Sequence, residues 1–487
     1  MLAQLYINGE WVDSSGLERI PVEDPATQTV LAEVPAATEA DVNRAVAAAK
    51  TAFGEWRWQS ANERAGMLHE IAHKIRAHWD ELVELLTREE GKPRSENEEE
   101  FEWSANTFDY YAELGRHSRG RVIPSGEPRT QLNLVIEEPY GVVGAIVPWN
   151  YPLLLLAWKM APALATGNTV VIKPSEMTPL STLRFVELCC DHLPPGVVNV
   201  VTGAGATGEV LVRHPDVPVI AFTGSLATGQ RIASLAAPMM KRTHLELGGK
   251  DAFVLGPDAD LEPSIEALAY AALINAGQVC TSSERVYVPG TLANDFVEGL
   301  TEYVRRLRLG HGLEPGIDMG PMIGDQYRAK VEAQVAQARQ KGARVLTGGR
   351  RPPGLEHGYF YEPTVLVDAN HDMDIMVEET FGPTIPIMTY NTFDQAIEWV
   401  NSSKYGLGAT IRTNDPLLAK RFFEEVKAGT IWINDPLTDN YAGPFGGMKY
   451  TGGARELGEE GLSTFMETKH VHWDFSAEKK SWWYPYE

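Results

Sequence analysis

GVVGAIVPWNYPLLLLAWKMAPALATGNTVVIKPS, residues 141–175, decides the fold. It opens on a short β-branched run, GVVGAIVP (141–148), passes through a helical stretch ending in APALATG, and closes on a second run, TVVIKPS (169–175). A short strand, a Gly- or Pro-bearing turn, a helix and another short strand mark parallel strands joined by crossover helices. The unit repeats downstream: a helix through Cys190, then VVNVVTG (197–203), another helix, and PVIAFTGS (218–225). The strand ends carry polar or Gly residues, at Asn150, Lys173, Gly203 and Gly224. In open α/β sheets, ligands bind at the carboxyl ends of the strands.

Outward from this core, a second α/β series begins at DAFVLG (251–256), which leads to a helix expected to end near Cys280. RVYVPG (285–290), a helix at 293–309, ARVLTGG (343–349), PTIPIMTY (383–390), helices at 393–401 and 416–427, and GTIWIND (429–435) complete it. Upstream, residues 39–92 alternate apolar and charged positions at spacings of three and four, Gly91 is a plausible stop, and 94–115 continue as a further helix. Segment 119–138 and the tail beyond about 464 read as strands outside both lobes.

Composition agrees with two lobes. A single core rarely grows past about 250–300 residues, and the chain has 487. Its net charge of −23 argues against nucleic acid and anionic membrane as partners, since both require a basic surface. The longest strongly apolar run lies near Leu153–Ala157, far short of the ~20 residues of a membrane span. Three cysteines supply neither a disulfide framework nor zinc spacing, so no metal is expected. The adjacent Cys189 and Cys190 read as packing residues on a helix. Low cysteine use and an N-terminus without a basic, apolar leader lead us to expect a cytoplasmic protein.

Three stretches carry candidate chemistry. NAGQVCTSS (275–283) places Cys280 among small polar residues, as either a core filler or a nucleophile. VTGAGATGE (201–209) holds G-x-G-x-x-G at Gly203, Gly205 and Gly208 between a strand and a helix; it is either a dinucleotide-binding turn or a plain Gly-rich turn. FTGSLATGQ (222–230) is a second such junction, where Ser225 caps a helix or helps cradle phosphate.

PWNYP (148–152), KPSE (173–176), FTGS (222–225), LELGGK (245–250), GQVC (277–280), EETFGP (378–383) and PFGGMK (444–449) occur in an order and spacing that resemble the NAD(P)-dependent aldehyde dehydrogenase superfamily over essentially the whole chain. The resemblance implies an α/β fold with a Rossmann-like cofactor lobe (1–118 and 139–248), an α/β catalytic lobe (249–448) and a small bridging sheet for homo-oligomerisation (119–138 and 449–487). It implies Cys280 as the nucleophile that forms a thiohemiacetal and then a thioester. Asn150 becomes an oxyanion donor rather than the cap of the helix starting at Pro152, and Glu246 the base that activates the hydrolytic water. The cofactor positions it implies are Val147, Pro148, Trp149, Lys173, Ser175, Glu176, Gly205, Phe222, Thr223, Gly224, Ser225, Gly229, Leu247, Gly248, Glu379 and Phe381, with weight moved from the Gly203–Gly208 turn to Gly224–Gly229. A carboxylate at Glu176 accepts from ribose hydroxyls and repels a 2′-phosphate, so NAD is expected over NADP.

For the aldehyde, the resemblance implies a tunnel of Tyr151, Leu155, Trp158, Ile274, Thr281 and Phe445. Its side chains include no Arg or Lys, so an apolar or aromatic aldehyde is expected and a dicarboxylic semialdehyde disfavoured. A betaine aldehyde or aminoaldehyde is the alternative, through cation–π contact with Trp158 and Tyr151. Ile274 stands where the betaine aldehyde members resemble one another in having Trp, which counts against a full aromatic cage. Two other classes compete: a cofactor-independent Cys hydrolase with His244 as base, and a non-catalytic oligomeric protein on the same fold.

Overall fold

Strand Val142–Ile146 lies near the centre of the first of two seven-stranded sheets in the computed structural model, which describes residues 4–117 and 120–486. From edge to edge this sheet runs Arg242–Leu247, Val219–Gly224, Val142–Ile146, Thr169–Lys173, Val198–Val200, Leu5–Ile7 and Glu10–Val12. The first five strands are parallel; the N-terminal hairpin adds two antiparallel strands at the edge. Val142–Ile146 and Thr169–Lys173 are buried at every position. Helices cover both faces, so these strands read as unbroken apolar runs rather than alternating ones. Val143, Ala145, Val170 and Ile172 enter one core, while Val142, Ile146 and Val171 enter another with Val42, Ala45, Val46 and Ala49.

The second sheet runs Arg344–Thr347, Thr364–Val367, Thr384–Tyr390, Arg285–Pro289, Ala252–Leu255, Gly408–Arg412 and Thr430–Ile433. It too is parallel, except for its Arg344–Thr347 edge. A three-stranded antiparallel sheet stands apart: Met466–Asp474 pairs with Gln131–Pro139, which pairs with Arg121–Ile123.

Several expectations change. The helix expected to run to Cys280 is Leu261–Leu273, followed by a tight turn over Ile274–Gly277. The helix at 293–309 stops at Arg305. Strands Leu5–Ile7, Glu10–Val12, Thr364–Val367 and Gly408–Arg412 and helix Asp325–Gln340 are additional. The region 39–92 is three helices, Glu39–Trp56, Ala61–Ala77 and Trp79–Glu90: Thr38 and Ser60 cap the starts of the first two, His78 separates the second from the third, and Gly91 at φ 100° ends the third. Of the tail assigned to the bridging sheet, residues 449–463 instead pack on the lobes: Leu247 donates its N–H to the Thr451 carbonyl, and Glu456 pairs with Phe445. Residues 1–3, the proposed boundary at 118 and 119, and residue 487 lie outside the described residues.

Candidate active site

Chain order in the first sheet reverses between Val142–Ile146 and Val219–Gly224: the chain moves one way from the former and the other way from the latter. A crevice opens outside the carboxyl ends of strands at such a point. A cleft of about 710 Å³ lies there. Every residue assigned to the cofactor from the sequence lines it, except Gly229. Gly229 sits inside helix Leu226–Ala236, where a Cβ would stand 2.3 Å from the Leu247 side chain. Both Gly-rich turns face the cleft: Gly205 and Gly208 at the start of Gly205–Arg213, and Gly224, Ser225 and Thr228 at the start of Leu226–Ala236. Ser225 accepts the Thr228 N–H, so it caps its helix while lining the cleft. Lys173 is buried with its Nζ 3.4 Å from the half-exposed Glu176 carboxylate; burial lowers its pKa and Glu176 opposes this. Glu379 accepts the Gly249 N–H at 3.1 Å, and burial, with Glu284 adding, pushes it to about 7.

Cys280 borders this cleft and a narrower pocket. Its approach is set by three successive left-handed residues, Asn275 (φ 50°), Ala276 (φ 52°) and Gly277 (φ 73°). A Cβ on Gly277 would lie 2.3 Å from the Gly382 carbonyl, so this turn admits only glycine there. Asn150 is buried at the junction of the two cavities. One N–H of its amide donates to the Gln278 carbonyl at 3.0 Å, which leaves the second N–H to the cavity. The helix cap weighed for Asn150 comes from elsewhere: Glu100 accepts the Leu153 and Leu154 N–H groups at 2.9 and 3.2 Å. Lys92, fully buried, pairs with Glu100, donates to the Asn150 carbonyl at 3.0 Å and lies 3.9 Å over the Tyr151 ring.

Glu246 is buried in the cleft wall and neither carboxylate oxygen has a hydrogen-bond partner. Burial, reinforced by Glu456, raises its pKa far above the carboxylate range, with Lys159 pulling the other way. Burial and the Glu246 charge likewise push the Cys280 thiol up. A buried, unpartnered carboxylic acid is costly and beside a cysteine it is a candidate acid or base. Cys189 and Cys190 are buried; burial raises Cys189 to about 12, as expected for packing thiols.

The narrow pocket is lined by all six proposed tunnel residues, Tyr151, Leu155, Trp158, Ile274, Thr281 and Phe445. Trp158 and Phe445 pack with ring centroids 4.8 Å apart. Sequence reasoning missed Trp103, Leu154, Tyr270, Val279, Leu437 and the acids Glu96, Glu99, Glu100 and Asp439. Burial sets Asp439 to about 7; it sets Glu96 to about 8 against the opposing charge of Lys92. The only sequence signal was ENEEEFEW (96–103), whose charges look like a solvated helix face. His244, the base of the hydrolase alternative, lines neither cavity among the described residues; its Nε2 lies 3.6 Å from Glu456.

Residues 11–471 match the sequence pattern of the aldehyde dehydrogenase family. The chain belongs to that family. Aminoaldehyde dehydrogenase 2 of Pisum sativum is 39% identical, over 99% of this chain and 98% of the relative. Betaine aldehyde dehydrogenase of Bacillus subtilis is also 39% identical, over 99% of both chains. The crystal structure of betaine aldehyde dehydrogenase from Staphylococcus aureus in complex with NAD+ superimposes with a TM-score of 0.96 at 37% identity, covering 99% of this chain and 96% of that one. This aldehyde dehydrogenase has the family's mixed α/β architecture, with its cysteine where the two cavities meet.

Proposed function

We propose that the enzyme oxidises a cationic aldehyde, an aminoaldehyde or a trimethylammonium aldehyde, to its carboxylic acid, using NAD in preference to NADP. One observation carries the substrate class. The pocket ending at Cys280 is walled by Trp103, Tyr151, Trp158, Tyr270 and Phe445 and bordered by Glu96, Glu99 and Asp439, with no Arg or Lys among its lining residues. Aromatic faces attract a cation, and a cation bound beside Glu96, Glu99 and Asp439 favours their ionised forms, which offset its desolvation. Lys92 occupies one face of Tyr151, so Trp158 and Trp103 are the principal aromatic partners. The names of the Pisum sativum and Bacillus subtilis relatives support the same class.

The cleft suits a dinucleotide: the starts of helices Gly205–Arg213 and Leu226–Ala236 both line it, and helix starts favour phosphate. Bound NAD supplies the hydride acceptor. The chain's own residues do the rest. The Cys280 Sγ attacks the aldehyde carbon and passes its proton to solvent water as the C–S bond forms. The Asn150 amide and the Cys280 N–H hold the oxyanion. After hydride leaves the carbon a thioester remains. Glu246, once deprotonated, takes a proton from water, and the resulting hydroxide displaces Cys280 and frees the acid. Glu176 reads the ribose and disfavours a 2′-phosphate.

We assign 1–118 and 139–248 to cofactor binding, 249–448 to catalysis and the three-stranded sheet to a homo-oligomer. Exposed Val122, Trp473, Phe475, Trp482, Trp483, Tyr484 and Tyr486 near that sheet support self-association. Three free cysteines fit a cytoplasmic site, and no described helix is long and apolar enough to cross a membrane. The test is NADH formation with 3-aminopropanal, trimethylammonioacetaldehyde, hexanal, benzaldehyde and succinate semialdehyde. The cationic pair should lead in kcat/KM and succinate semialdehyde should trail. A leading semialdehyde refutes the substrate class.

A further inference from the structure

The loop that brings Leu437 and Asp439 to the pocket adopts a conformation its own sequence disfavours. Asn434 and Leu437 both sit at positive φ, 68° and 63°. For leucine, with its branched side chain, the left-handed region is unfavourable and persists only where contacts impose it. Those contacts lie on either side of Asp439. Before it, the Trp432 indole donates to the Thr438 carbonyl at 2.8 Å. After it, the Tyr441 ring packs on Trp103 with centroids 4.3 Å apart, and the Asn106 amide donates to the Tyr441 hydroxyl at 3.0 Å. Asn106 is itself held, since Arg76 donates to its carbonyl oxygen at 2.7 Å and its amide also reaches Glu102 at 3.0 Å. Trp103, Asn106 and Glu102 all belong to helix Arg94–His117, which also supplies Glu96 and Glu99 to the pocket.

We infer that Tyr441, latched to Asn106 and Trp103, is a positioning residue for substrate specificity: it fixes Asp439 opposite Glu96 and Glu99, so that carboxylates from two distant parts of the chain face one cation. The inference rests on the cationic-aldehyde reading. Tyr441 lines neither cavity and touches no reacting atom. Its effect therefore falls on the binding of the charged end of the substrate and spares the chemistry at Cys280.

The test uses Tyr441→Phe, which removes one oxygen and keeps the ring stack, alongside Asp439→Asn and the double variant. Trimethylammonioacetaldehyde is compared with 3,3-dimethylbutanal, its neutral isostere. Tyr441→Phe should raise KM for the cation about two- to tenfold, the range of one net hydrogen bond, with kcat held and the neutral aldehyde changed less than about twofold. In the Asp439→Asn background it should have no further effect on the cation-to-neutral ratio, because the group it positions is gone. Additive losses in the double variant would overturn the inference. Hydrogen exchange of amides 437–443 gives a readout independent of substrate: it should quicken in Tyr441→Phe and Asn106→Ala while the rest of the chain is unchanged. Unaltered exchange overturns the latch whatever the substrate proves to be. A wild-type enzyme that ignores charge, with quickened exchange, overturns the cationic reading and with it the specificity role.

Discussion

Glu246→Gln isolates the hydrolytic half of the reaction. Neither Glu246 oxygen has a hydrogen-bond partner, so the isosteric amide removes no folded-state interaction. It also removes a group whose burial holds its pKa far above an ordinary carboxylate. Such a group is protonated in the folded chain while ionised in the unfolded one, so stability falls as pH rises between the two pKa values. The variant should therefore melt no lower than wild type near neutral pH. Catalysis should suffer instead. General-base assistance is worth about 10²–10⁴ in rate, or about 3–5 kcal/mol of barrier, and that loss should fall on deacylation. In stopped flow, mixing enzyme and NAD with aldehyde should give a burst of NADH near one per active site, followed by a steady state slower by about 10²–10⁴. The wild-type kcat should rise with pH through a value well above the usual carboxylate range, and the variant's should be flat there. A lost burst would refute the division of labour and make Glu246 the base for the thiol as well.

Asn150→Ala should slow the burst itself by about 10²–10³, the usual cost of one oxyanion donor, while NAD binding by fluorescence titration stays close to wild type; an unchanged burst rate removes Asn150 from the oxyanion site. Glu176→Ser should raise the NADP-to-NAD ratio of kcat/KM if the carboxylate beside Lys173 repels a 2′-phosphate as proposed; a constant ratio means the ribose is read elsewhere. Lys92→Met leaves buried Glu100 without its cation and should cost about 3–5 kcal/mol by chemical denaturation, partly recovered in Lys92→Met with Glu100→Gln; a loss below about 1 kcal/mol would contradict the reading of that pair.

The parallel core was legible because buried strands are short, β-branched and closed by Gly or polar turns, as at 141–175 and 218–225. Gly408–Arg412 was missed: GATIR is only five residues long and carries a glycine and an arginine. Cys280, Asn150 and Glu246 lay within motifs whose order the sequence displays, and the fold gathers them around two adjoining cavities. The acidic side of the pocket was not legible. Glu96 and Glu99 sit in a run of glutamates, and Asp439 is more than 300 residues away in a loop whose shape depends on Trp103 and Asn106. Only tertiary packing turns these charges toward one space. The same holds for Glu100, which caps a helix 52 residues downstream and frees the Asn150 amide for the cavity.

The proposed function stands on this pocket selecting a positive charge. Trimethylammonioacetaldehyde and 3,3-dimethylbutanal share size and shape and differ only in that charge, so the ratio of their kcat/KM values under saturating NAD measures the selection directly. Partly exposed carboxylates contribute about 0.2–1 kcal/mol each and a cation–π contact about 0.5–2, so the ratio should favour the cation by about tenfold or more and shrink with added salt. A ratio at or below one would contradict the account.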